Sequence, residues 1–128
     1  MKKSTLVVSA FMLLAFAIWG SLAYADVVVT DIQFPFKAGG KEFSAGKYRI
    51  ETILQSEELT IRNEATGKAV VLSYTTRLSP RESEEGSVVF DKAGDQYYLS
   101  EIYMPGIDGF GLKGATGKHT HVKVKGSK

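Results

Sequence analysis

Apolar side chains recur at every second position in one segment of this chain after another. From Asp26 to Phe36, Val28, Ile32, Phe34 and Phe36 share one face with Thr30, while Val27, Val29, Asp31 and Gln33 turn the other way. Tyr48 and Ile50 repeat the pattern, as do Leu59 with Ile61, and Val70 with Leu72 and Tyr74. A period of two belongs to strands that bury one face. No stretch beyond residue 25 carries a 3.6-residue apolar period. Turn chemistry separates the segments: Ala38-Gly39-Gly40, Ser44-Ala45-Gly46 and Thr66-Gly67. Strands at a spacing of roughly ten residues predict an all-β fold of about seven to eight strands, either a single antiparallel β-sandwich or a small flattened barrel.

The centre of that sheet is expected in Gly86 to Gly106. Val88-Val89-Phe90 and Gln96 to Met104 read as two strands, joined by the five-residue link Asp91-Lys92-Ala93-Gly94-Asp95. In that reading Asp91 and Asp95 are turn formers. Tyr97 and Tyr98 are adjacent, so they point to opposite faces of one strand. Either both faces are covered, or one tyrosine is displayed. Tyr97, Tyr98, Tyr103 and Phe110 are therefore the candidate ligand or partner surface, since tyrosine joins apolar area to a polar tip. The exit from this hairpin, Pro105 to Phe110, is the preferred place for function beside it.

Residues 1–25 read as a cleaved signal peptide. Lys2 and Lys3 precede an apolar run from Leu6 to Ile18, and Ala23-Tyr24-Ala25 fits a small-x-small cleavage site. The protein is expected to be exported to the periplasm or the extracellular space, with no transmembrane span after cleavage. Cleavage leaves 103 residues, with 14 basic and 14 acidic side chains. The β domain is expected over 26–112, which holds nine basic and all 14 acidic residues. Residues 113–128 hold five lysines and no acid, and read as a flexible tail or an edge strand. This net balance gives no reason to expect nucleic-acid binding. Weak contact of the lysine tail with an anionic surface is the electrostatic alternative. There is no cysteine, which excludes disulfides, thiol catalysis and thiolate metal sites.

Catalytic signatures are sparse. The serines have no companion histidine outside the tail, and no GxSxG elbow is present. Gly109-x-Gly111-x-x-Gly114 lacks the strand–turn–helix setting of a dinucleotide fingerprint. Glu82, Glu84 and Glu85 sit beside Arg77 and Arg81 in a polar stretch and read as a solvated loop. His119 and His121 would project from one face of a strand and could share a metal ion if a third ligand came from elsewhere. No carboxylate lies near them in sequence, so they are weak candidates and no cofactor is expected.

Several local patterns occur together. They are Phe34-Pro35-Phe36 before Gly39-Gly40-Lys41, Ser44-Ala45-Gly46-Lys47-Tyr48, Leu59-Thr60-Ile61 and Thr66-Gly67-Lys68. Val89-Phe90, then Gly94-Asp95-Gln96-Tyr97-Tyr98-Leu99-Ser100, and Pro105-Gly106 complete the series. The set resembles a group of small, exported, β-rich bacterial proteins without an assigned activity. The resemblance spans most of residues 30–110. It implies a β fold and export, offers no catalytic residue to carry over, and leaves the lysine-rich tail outside the shared pattern.

The expected role is a non-enzymatic exported binding or structural module. It would assemble with itself or with another envelope protein through an exposed strand edge, either Asp26 to Phe34 or the C-terminal strand. The alternative is a small apolar-ligand carrier with a pocket between sheets lined by Tyr48, Tyr74 and Tyr98. An enzyme would require Glu101, Asp108 and His119 to converge.

Overall fold

The alternating segments become strands, and no helix occurs among the described residues. The computed structural model describes residues 26–53, 56–80, 85–105 and 107–127. The proposed signal peptide lies outside them, as do Glu82 and Glu84 of the acidic loop. In chain order the strands are β1 (Val27–Ile32), β2 (Phe36–Ala38), β3 (Lys41–Phe43), β4 (Gly46–Thr52) and β5 (Glu58–Asn63). They continue as β6 (Ala69–Ser73), β7 (Thr76–Leu78), β8 (Ser87–Ala93), β9 (Gln96–Tyr103), β10 (Gly109–Gly111) and β11 (Thr120–Ser127). The count exceeds the seven or eight expected. One reason is Pro35, which cannot donate a ladder hydrogen bond and so splits the first segment into β1 and β2.

The strands form one curled, open sheet in the order β3-β2-β9-β8-β11-β1-β4-β5-β6. β9 is shared along its length. Its first half meets β2 in a parallel pairing, Lys37 opposite Tyr98, and its second half pairs with β10, which in turn pairs with β7. The concave face holds the core. Val28, Ile32, Ile50, Leu59, Ile61, Leu72, Val88, Phe90 and Ile102 are all buried there. Phe90 is fully buried, with its ring edge-on to Phe34 at 4.9 Å and Phe36 at 5.3 Å. Phe36 also stacks on Phe43 at 5.0 Å and meets Tyr48 at 5.3 Å, tying the β2–β3 hairpin to β4. Burying a side chain of this size contributes about 1.5–3 kcal/mol. The curl is tight enough that a Cβ on Gly39 would lie 2.9 Å from Leu72 Cδ2, so the tip of the β2–β3 hairpin approaches β6.

The central hairpin differs from its expected form. Ala93 pairs with Gln96, so the connection is the two-residue turn Gly94-Asp95, with Gly94 at φ 62°. A two-residue turn with positive φ matches the twist of the flanking strands better than a longer link. Asp91 is therefore a ladder residue and not a turn former. Every side chain from Ser87 to Asp91 is buried, which requires cover on both faces of β8.

The residues expected to be a flexible tail or an edge strand are built into the sheet. β11 pairs with β8 from Thr120 to Lys125 and with β1 at Gly126 and Ser127, joining the two halves of the sheet. The other proposed edge is also occupied. β1 pairs with β4 along its whole length and with β11 at Val29 and Thr30. Neither segment lies at the rim of the sheet, because β11 stands between β8 and β1, and β1 between β11 and β4.

Candidate functional site

Two features of this sheet are candidates for function. One is a free edge and the other is a polar cluster on the convex face.

The free edge is β6. It pairs with β5 from Ala69 to Ser73 and, among the described residues, has no ladder partner on its other side. β3 and β7 are also terminal, but each has only three residues. β6 reads AVVLS, with Leu72 buried in the concave core and Val71 on the opposite face, 53 % exposed. Natural edge strands usually carry lysine, proline or a bulge that discourages further pairing. Ala69 to Ser73 has none of these in its sequence.

The polar cluster is assembled by strand register. β8 and β11 run antiparallel with His121 directly opposite Asp91. Facing residues of neighbouring strands project on the same side of the sheet. Asp91 therefore shares the convex face with His121, while Phe90 and Val122 share the concave one. His119 lies two residues before His121 on the same side. The chain leaving β10 then folds over Asp91. Leu112 N–H donates to Ser100 O at 2.8 Å, and Ala115 N–H donates to Asp91 Oδ2 at 3.1 Å. Gly114 packs so closely that a Cβ there would sit 2.0 Å from the same oxygen. Asp91 is left only 6 % exposed.

Its other oxygen, Oδ1, faces both imidazoles. His121 Nδ1 is 3.1 Å away and His119 Nε2 is 3.7 Å away. The second ring nitrogen of His119, Nδ1, lies 2.8 Å from Gly117 O. A carbonyl can only accept, so that nitrogen carries the proton. One ligand atom from each of Asp91, His119 and His121 falls within 4.8 Å of the other two. Asp91 and His121 also line a convex groove of about 580 Å³ with Val89, Leu112, Glu101 and Lys123.

The aromatic candidates do not form one surface. Tyr97 turns to the concave side and stacks on Phe34 at 3.8 Å. Tyr98 lies on the convex side, with Lys37 Nζ 5.9 Å from its ring. Tyr103 is buried and donates its hydroxyl to Glu101 Oε1 at 2.8 Å. Phe110 is buried against Tyr74, with the Arg77 guanidinium 4.7 Å over its ring. The tyrosines project from both faces of β9, with Tyr97 and Tyr98 half-buried, so the four rings are not gathered on one surface. Phe110, in the preferred exit segment, is one of the buried rings.

Nor do Tyr48, Tyr74 and Tyr98 line a common pocket. Tyr48 is buried and donates to Ser44 O, Tyr74 donates to Ser56 O near β10, and Tyr98 lies on the other face. Glu101, Asp108 and His119 also diverge, since Asp108 pairs with Arg77 at 3.2 Å and His119 turns to Asp91.

Asp91 is the site residue that sequence reasoning missed. The paired histidines were visible at i and i+2, but their carboxylate lies 28 and 30 residues earlier. Only the β8–β11 register brings it to them. Comparison with protein families, curated proteins and solved structures finds no match for this chain.

Proposed function

We propose that the chain is a non-enzymatic exported structural module that assembles with a second copy of itself through β6. The observation that carries this reading is the uncharged, unpaired edge from Ala69 to Ser73. An antiparallel β6–β6 pairing centred on Val71 would set Val71 against Val71, Val70 against Leu72 and Ala69 against Ser73. Each pair joins residues of the same face, and no like charges meet. Like charges directly opposite one another destabilise a ladder, so their absence favours this register. The pairing would extend the curled sheet across a two-fold axis, giving an isologous contact that closes on itself.

Size-exclusion chromatography with light scattering tests the proposal, using the purified protein and Val71→Lys. Val71 points away from the core, so lysine is accommodated in the monomer and faces its own copy only in the dimer. A dimer that becomes a monomer in the variant supports the reading. A wild-type monomer, or a dimer indifferent to Val71→Lys, overturns it.

A further inference from the structure

We infer that Asp91, His119 and His121 form a binding site for a divalent transition-metal ion of the zinc class. Two imidazoles and one carboxylate are a common donor set for zinc, with one position left for a water or another ligand. Ligand atoms around a tetrahedral zinc ion at about 2.0–2.1 Å stand about 3.4 Å from one another. The two nitrogen-to-oxygen separations here, 3.1 and 3.7 Å, bracket that value. The side chain of His121 is 66 % exposed, which leaves it free to close the remaining distance to His119.

The surroundings are as informative as the ligands. Metal-bound histidines usually donate their other ring N–H to a carbonyl or carboxylate, which fixes the tautomer and aims the ligating nitrogen. His119 has this arrangement. Its Nδ1–H is committed to Gly117 O, so Nε2 presents a lone pair to Asp91 Oδ1 when the ring is neutral. A lone pair facing a carboxylate is repulsive unless a proton or a cation lies between them. The carboxylate is aimed in the same manner, with Oδ2 held by Ala115 N–H and Oδ1 turned to the two rings. Gly114 makes that approach sterically possible.

Two lysines flank the cluster in the β8–β11 ladder. Lys92 pairs across the ladder with Thr120 and Tyr97, so it lies on the opposite face from Asp91. Its Nζ sits 5.6 Å from the Tyr97 ring. Lys123 does share the convex face, one strand repeat beyond His121, and adds a positive charge on that side. β1, β4 and β5 separate β11 from the β6 edge in the sheet order, so this site is independent of the proposed assembly.

Two experiments on the protein purified without a histidine tag test the site. Isothermal titration with zinc should give one site per chain, weakened at least about tenfold by His119→Ala and by His121→Ala. Both side chains are partly exposed, so neither change removes core packing. Titration with cobalt should give the intense visible absorption of a four-coordinate ion, lost in the same two variants. Absence of stoichiometric zinc binding would overturn the inference. So would zinc affinity unchanged by both histidine variants, which would leave only a hydrogen-bonded Asp–His cluster.

Discussion

Gly114→Ala is a sharp test of the buried carboxylate. Gly114 needs no left-handed backbone, so the cost of the change comes from space alone. The added Cβ would fall 2.0 Å from Asp91 Oδ2 and 3.0 Å from both Asp91 Cγ and Ser100 Cβ. Either Asp91 swings away or the covering segment lifts. Both movements break the hydrogen bond from Ala115 N–H to Asp91 Oδ2. A hydrogen bond to a charged group contributes about 1.5–3 kcal/mol, and the disturbed carboxylate is almost fully buried. We therefore expect a loss of about 2 kcal/mol, which lowers Tm by roughly 8–16 °C for a domain of this size. Urea unfolding followed by circular dichroism should show the midpoint falling by about 1 M with an unchanged slope. A midpoint within about 0.3 M of the wild type would show that the segment does not clamp Asp91.

Three other outcomes follow from the packing. Phe90→Ala removes the buried ring against which Phe34 and Phe36 rest and should cost about 3–5 kcal/mol, measured by the same urea titration. Ser87 Oγ is buried and has no hydrogen-bond partner among the described residues, so Ser87→Ala should leave stability unchanged or raise it by up to about 1 kcal/mol in thermal unfolding. Deleting residues 115–127 removes β11 and the Ala115 bond to Asp91; the shortened chain should lose its cooperative unfolding transition, which calorimetry would show directly.

How far the sequence could reveal this molecule depends on which interactions are local. Strand identity was legible because period-two burial is written into neighbouring residues such as Val28, Thr30 and Ile32, or Leu59 and Ile61. Pro35 announced the break between β1 and β2 by its missing donor. Pairing was not legible. Thr76–Leu78 becomes β7 only because the glycine-rich Gly109–Gly111 runs beside it, and neither segment has strong strand character alone. The alternation of Lys123 and Lys125 with Val122 and Val124 suggested an edge strand, while five lysines without an acid over residues 113–128 suited a solvated tail. The partner that decides between the two readings, β8, is 30 residues away in sequence.

The candidate site shows the same division. His119 and His121 advertised a shared face. Asp91 resembled a turn residue because Gly94 and Asp95 follow it closely, yet the turn itself needs only those two. A carboxylate directly after the buried Phe90 gave no local sign of its role, since its partners arrive through tertiary pairing. The edge was misplaced for a related reason. β1 and β11 each look terminal in the sequence but join one another, which leaves the interior segment β6 at the rim.

The pairing of β11 with β8 underlies both the closed core and the Asp91 cluster. Backbone nuclear Overhauser contacts measure it most directly. The structure predicts cross-strand contacts between His121 and Asp91 and between Val122 and Phe90, with slowly exchanging amides at alternate positions along Thr120 to Lys125. Sharp, rapidly exchanging resonances over this segment, without contacts to β8, would contradict the fold described here and remove the basis for the metal site.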